Sequence, residues 1–294
     1  MPSNKYHDTM LTQQLTGKNA KEFTQYTKQG HGYAPCSKTY ASLPAGFYKL
    51  EMINGVYFLV KHELISDSII ELPDSDSAKI IAEIDDFWAK SNLFQQYGLS
   101  HKRGVLLYGP PGSGKTVTAL VIAKNVIENG GLVFQVTQEP YTLTQMLPKV
   151  RQVEPDRPVV IIMEDIDSLI KEYSESEVLS LLDGEQSIDN VVYVATTNYP
   201  EELDKRVTDR PSRFDRLVKI DFPSYESRIS YLLHHNVPDS KLWGKATEGF
   251  SIAHIKELIV SVKCLGHDFE TELKRLRSMY KTPKNEFKSD KVGF

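Results

Sequence analysis

Residues 109–116 read GPPGSGKT, between a strand-like run at 104–108 and a helix-like run at 116–129 that Gly130-Gly131 closes. This octapeptide fits G-x-x-x-x-G-K-[ST] in full, and a strand before it and a helix after it are the context that gives the pattern meaning. Gly112 and Gly114 let the backbone curl without Cβ clashes, so that its N–H groups point inward at an anion. The helix N-terminus adds partial positive charge at the same place. Lys115 then reaches the β- and γ-phosphates of a nucleotide, and the Thr116 hydroxyl ligates Mg²⁺. Pro111, Ser113 and Val117 complete the expected nucleotide contacts. The competing reading is a chance glycine turn, which the flanking strand and helix disfavour.

Strand and helix signals alternate on both sides of this loop. Residues 132–136, 159–163 and 191–195 are apolar, β-branched runs of the buried-strand kind, and 217–222 reads as a last strand. A short helix is expected over 143–150, disturbed by Pro148. Ile80, Ile81, Ile84, Phe87 and Trp88 recur at helical spacing and give a helix after Pro73 one apolar face. The alternation predicts an α/β fold, a parallel sheet of the P-loop type covered by helices on both faces. We place this nucleotide-binding domain at 76–223. After Pro223 the strand signal stops, and helices near 227–235, 251–264 and 268–280 predict a small helical lid over 224–282, with a polar tail at 283–294. Upstream, Asn54-Gly55 between two β-rich runs predicts a hairpin, with strands near 47–52 and 56–61, a third near 68–72, and a segment spanning 46–75. Residues 1–45 are polar without a clear period and read as a flexible arm.

The chain has 294 residues, of which 40% are hydrophobic, and a formal net charge of −4. That suffices for one α/β domain with smaller attachments. A strongly basic chain would point to nucleic acid through bulk electrostatics, and this one does not. Cys36 and Cys264 stand far apart, with no metal-ligand spacing, as expected of reduced thiols in the cytoplasm. The N-terminus lacks the apolar run of a signal peptide. No apolar stretch approaches the ~20 residues of a spanning helix, so no membrane is expected.

Three further stretches carry chemistry. In VVIIMEDIDSL the strand ends in Glu164-Asp165, at the sheet edge where ligands bind in open α/β folds. One acid can hold the Mg²⁺ water shell, and the other can orient or deprotonate an attacking water. In VVYVATTN, Asn198 is placed to hydrogen-bond a phosphate or that water. In DRPSRFDR, Arg210 and Arg213 lie three apart. Guanidinium groups stabilise the charge that develops during phosphoryl transfer, although on its own this stretch reads rather as a solvated basic loop.

In this order and spacing, YGLSHKRGVLLYGPPGSGKT, IIMEDIDSL, LLDG, VATTNYPEELD, RPSRFDR and TEGFSIAHI resemble the AAA+ ATPases over about residues 76–262. Within them the chain is most similar to the AAA branch that includes the Rieske-protein translocase of the mitochondrial inner membrane. The resemblance implies a five-stranded parallel sheet with a helical lid, assembled into a ring, commonly a hexamer. It implies that Lys115 and Thr116 belong to the Walker A motif. Glu164 takes the Mg²⁺-coordinating Walker B position, and Asp165 the catalytic one. Asn198 becomes sensor 1, and Arg210 and Arg213 become arginine fingers acting on the next subunit's ATP. Gly98 and Leu99 are expected near the adenine.

Three departures bear on function. Most of the family has Asp-Glu where this chain has Glu164-Asp165, although the translocase subgroup shows a similar order. The segment VTQEPYTLTQMLPKV lacks the aromatic-hydrophobic-Gly pore loop of protein-threading members, with Tyr141 its one aromatic. The lid carries Ser251-Ile252-Ala253-His254 where relatives outside this branch place a sensor-2 arginine, and His254 then reads as an ordinary lid residue. The translocase's membrane helix has no counterpart in the sequence.

The expected function is an ATPase of a homo-oligomeric ring that remodels or assembles a protein partner bound through the N-terminal segment. Two alternatives stand beside it. One is a nucleic-acid motor or loader, using Lys5, Lys18, Lys21, Lys28, Lys102 and Arg103 with Tyr26 and Tyr33. The other is an ATP-dependent scaffold with little turnover.

Overall fold

The computed structural model describes residues 25–29, 32–36, 39–53, 55–64, 70, 72–73, 76–137, 139–183, 188–204, 207 and 213–279. These fall into two compact units. The smaller takes the described residues up to Pro44 together with Glu51–Phe58; the larger takes Ala45–Leu50 and those from Leu59 onward.

In the smaller unit β1 (Gln25–Gln29) pairs antiparallel with β2 (Gly32–Cys36), Gln29 opposite Gly32. The sequence shows no period in this stretch. The predicted turn between β3 (Gly46–Ile53) and β4 (Val56–His62) is present, with Gly55 at φ +78°, a value that suits glycine; Asn54 lies outside the described residues.

The larger unit is built on one sheet. To the parts of β3 and β4 at 46–50 and 59–62 it adds β5 (Lys102–Tyr108), β6 (Leu132–Gln135), β7 (Val159–Met163), β8 (Val191–Thr197) and β9 (Arg216–Lys219). The order is β4-β3-β6-β7-β8-β5-β9. From β3 to β9 every neighbouring pair is parallel. β3 thus adds to the edge of the five-stranded parallel sheet, with Gly46 opposite Leu132 and Lys49 opposite Gln135. The strands β7 and β8 are fully buried along their length, because helices cover both faces.

On one face α1 (Ser77–Ala89) buries Ile80, Ile84 and Phe87, with Ile81 and Trp88 packed beside them, as the periodicity predicts. A short α2 (Ser91–Gln96) follows. The helix α3 (Lys115–Glu128) packs Ala119, Ile122, Ala123 and Val126 against Leu107, Val160 and Val194. The helix expected over 143–150 is longer: α4 runs Pro140–Val153 and keeps Pro148 inside it. Two helices absent from the sequence reading, α5 (Ile166–Tyr173) and α6 (Glu175–Asp183), lead from β7 towards β8.

The C-terminal helices α7 (Tyr225–His234), α8 (Ser240–Ala246), α9 (Ile252–Ile259), a π turn at Val260–Cys264 and α10 (Phe269–Met279) share a second apolar core around Leu232, Trp243, Ile255, Leu258 and Leu273. Ser224 and Ser251 cap α7 and α9 by accepting the N–H of Ser227 and of His254. Most of the strand expected at 68–72 lies outside the described residues. Ile70 and Leu72, which are described, are not in a strand; they pack against this helical core, because their apolar side chains find cover there. Among the described residues no helix is long and apolar enough to cross a membrane.

Candidate active site

The loop between β5 and α3 turns where the glycines permit it. Gly109, Gly112 and Gly114 have φ of +152°, +74° and +109°, and Gly114 stands at the N-terminus of α3. The turn is tightly enclosed. A Cβ on Gly109 would meet the Ile220 carbonyl oxygen at 2.1 Å, and one on Gly112 would meet Ser251 Oγ at 2.7 Å. The loop is therefore pressed between the end of β9 and the first turn of the lid helix α9.

Lys115 is buried, and its ammonium donates to the Gly109 and Pro110 carbonyls, each at 2.9 Å. Burial lowers its pKa to about 8, against the opposing pull of Asp165 and Asp167. The Ser113 hydroxyl is also buried in this loop, and no hydrogen bond satisfies it. An orphaned donor and a desolvated cation, beside backbone N–H groups at a helix N-terminus, are what a phosphate group would satisfy.

Opposite the loop, β7 and β8 deliver the polar groups. Asp165 sits at φ +47°, ψ +58° and begins α5. A short Asp side chain is among the few that tolerate this left-handed geometry, a physical reason for Asp at this place. Its backbone N–H donates to Thr196 Oγ1 at 3.0 Å, and its carboxylate Oδ1 accepts from Asn198 Nδ2 at 3.3 Å. Glu164 points its Oε2 at the Gln135 amide, which donates at 2.6 Å from the end of β6. Asp167, one turn further on, is buried and accepts the Thr197 hydroxyl at 2.7 Å.

These groups frame a cleft of about 730 Å³, within the range of small-molecule sites. Pro111, Gly112, Ser113, Gly114, Lys115, Thr116 and Val117 line it, together with Asp165 and Asn198. The lid supplies Tyr231, Ile252, Ala253 and Lys256, and the segment before α1 supplies Ile70, Leu72 and Asp76.

Not all of the expected site residues line this cleft. Gly98 and Leu99 are solvent-exposed and do not line the cleft; the apolar wall comes from Ile70, Leu72 and Ile252 instead. Glu164 is not among the lining residues, its carboxylate being engaged by Gln135. Arg213 is buried, and its Nε donates to Asp183 Oδ2 at 2.7 Å within the same chain. Arg210 lies outside the described residues. His254 shares a 2.7 Å hydrogen bond with Ser251 Oγ through Nδ1, and burial lowers its pKa. Tyr141 is half-exposed at the start of α4.

Gln135, Thr196, Thr197 and Asp167 escaped the sequence reading. For Asp167 a signal was present, a third carboxylate in MEDIDSL at helical spacing from Glu164.

Residues 105–222 match the family model described as "ATPase family associated with various cellular activities (AAA)". The chain carries an AAA ATPase domain. It is 31% identical over 229 residues to a putative cell division cycle ATPase of Plasmodium falciparum, a stretch covering 68% of this chain and 18% of that protein. It is 31% identical over 191 residues to the proteasome-activating nucleotidase of Thermococcus kodakarensis, covering 56% of this chain and 47% of the relative. The ATP-dependent zinc metalloprotease FtsH of Synechococcus sp. is 29% identical over 213 residues, 63% of this chain and 33% of its own. The chain thus spans less than half the length of these curated relatives.

Proposed function

We propose that this protein binds ATP with Mg²⁺ in the cleft and hydrolyses it at sites completed by neighbouring subunits of a ring, using the cycle to remodel or assemble a protein partner. The observation that carries this reading is convergence. The phosphate loop, the Asp165–Asn198 pair and the first turns of the lid helix α9 line one cleft.

Lys115, Ser113 and the N-terminus of α3 would bind the phosphates. Thr116 and Asp165 line the cleft and offer the oxygen donors that suit Mg²⁺, while Glu164, turned toward Gln135, stands outside the lining. Thr116 and Glu164 would hold the ion, Glu164 through water; when bound, it neutralises phosphate charge. Asp165 would orient the attacking water and accept its proton, with Asn198 steadying that carboxylate. Arg210 and Arg213 would serve the next subunit's site. The translocase-like order Glu164-Asp165 and the missing pore-loop triplet favour a remodelling role over threading of an extended chain. The nucleic-acid alternative gains little, since Lys102 donates to the Leu182 carbonyl and Arg103 lies 3.9 Å from Asp215.

The test is steady-state ATP turnover against protein concentration, followed by mixing Lys115→Ala with Arg213→Ala chains. Shared sites predict turnover per subunit that rises with concentration, and recovery of activity when two inactive variants are mixed. Turnover independent of concentration, with no recovery on mixing, would sink the ring. Tight ATP binding without turnover would favour the scaffold.

A further inference from the structure

We propose that Asp167 is a positioning residue for ATP hydrolysis: by accepting the Thr197 hydroxyl it fixes the turn that aims Asn198 at Asp165. The proposal rests on the reading that this cleft hydrolyses ATP.

The chain of contacts is short. Asp167 Oδ1 accepts from Thr197 Oγ1 at 2.7 Å, and Thr197 Oγ1 accepts from the Tyr199 N–H at 3.0 Å. Asn198 is the residue between those two anchors, and its amide reaches Asp165 at 3.3 Å. Thr197 is wholly buried and Asp167 nearly so, with 6% of its surface exposed. A hydroxyl has one proton to donate. Committing it to Asp167 leaves the oxygen lone pairs turned toward Tyr199, and the turn is locked in one arrangement.

The neighbouring Thr196 does the same work from the other side, taking the Asp165 N–H at 3.0 Å. Two consecutive threonines at the end of β8 therefore set the carboxylate and its amide partner independently. Without Asp167 the Thr197 hydroxyl would be buried without an acceptor. It would rotate towards any carbonyl in reach, and Asn198 would lose its fixed direction. Asp167 does not line the cleft, so it acts through Thr197 and Asn198 and not on the substrate.

The experiment is ATP titration of turnover in the full chain for wild type, Asp167→Ala, Asp167→Asn, Thr197→Val and the Asp167→Ala/Thr197→Val double variant. Asp167→Ala is expected to lower kcat about tenfold while KM for ATP moves less than about twofold, the mark of an interaction needed beyond ground-state binding. Asp167→Asn, whose amide oxygen still accepts, is expected to bring kcat back to within about threefold of wild type. Thr197→Val should match the alanine variant, and the double variant should lose no more than either alone. Wild-type kcat in both single-break variants would overturn the proposal. So would an Asp167→Asn as slow as Asp167→Ala, which would assign the effect to charge, or a KM that rises in step with the loss of kcat. Where Asp167→Ala fails to fold, Thr197→Val and Asp167→Asn decide the matter. Absence of turnover in the wild type would overturn the hydrolysis reading itself.

Discussion

The Gln135 amide donates to Glu164 Oε2 at 2.6 Å, joining the end of β6 to the end of β7. Glutamate has one more rotatable bond than aspartate, and in this site a neighbour's amide takes up that freedom. On the proposed role of Glu164 at Mg²⁺, Gln135 would be a group supporting a metal ligand, and removing such a group typically changes metal affinity by about 10–100-fold. Gln135→Ala is therefore expected to raise the Mg²⁺ concentration for half-maximal ATP turnover by about tenfold. Gln135→Glu would set two carboxylates together and do worse. A Mg²⁺ titration that overlays wild type would show that Glu164 needs no such support.

Gly104, in β5, lies against the turn at Arg213 that precedes β9. A Cβ there would come within 1.7 Å of the Arg213 carbonyl oxygen, while the Gly104 N–H donates to Asp215 Oδ2 at 3.1 Å. The obstacle is backbone and cannot swing aside. Gly104→Ala is expected to cost about 3 kcal/mol, the upper range for forced overpacking, and to lower the urea midpoint accordingly. An unchanged midpoint would mean that β5 and the 213–215 segment separate more easily than their packing indicates.

How much of this was legible in the sequence follows from the range of each interaction. The phosphate loop and the buried strands were readable because glycine placement, β-branched runs and the helix start are local signals. That the sheet is parallel also followed from the strand-helix alternation. The Gln135–Glu164 and Thr197–Asp167 bonds were not readable: each joins residues about thirty apart, and only the sheet register brings them together. Gly98 and Leu99 were expected at the adenine from resemblance alone. The apolar lining of the cleft includes Ile70 and Leu72, whose apolar character carries no period in so short a segment. The helix α8 passed unnoticed because it is seven residues long and contains Gly244.

Lys115 makes nucleotide binding depend on pH. Burial holds its pKa at about 8 in the nucleotide-free chain, below the ordinary 10.5. Bound phosphates favour the ammonium and raise that pKa again. Between the two values the complex holds a proton that the free protein has released, so binding takes up a proton and weakens as the pH rises above about 8. Folding stability responds in the opposite sense. The unfolded lysine binds its proton up to its ordinary pKa, so the desolvation penalty present below pH 8 is relieved as pH climbs towards 10.5. Calorimetry of ATP binding at pH 8.5 in buffers of different ionisation enthalpy measures the uptake directly. Zero uptake would place the lysine fully charged before ATP arrives.

The Arg213–Asp183 pair sets a condition on any role for Arg213 in a neighbouring site. Its side chain is 6% exposed and that of its partner 22%, so the pair is largely out of water. Removing one member deprives the other of this ion pair, at a cost of about 3 kcal/mol, whereas removing both forfeits the pair only once. Arg213→Ala and Asp183→Ala are each expected to lower stability by about that amount, and the double variant by clearly less than the sum. Urea denaturation of the four proteins closes the cycle. Strict additivity would mean that the two groups do not depend on each other. A large coupling would mean that an arginine reaching across an interface must first give up Asp183. In that case Asp183→Ala, refolded and compared at equal occupancy, should alter the concentration dependence of ATP turnover and leave ATP binding to the isolated chain unchanged.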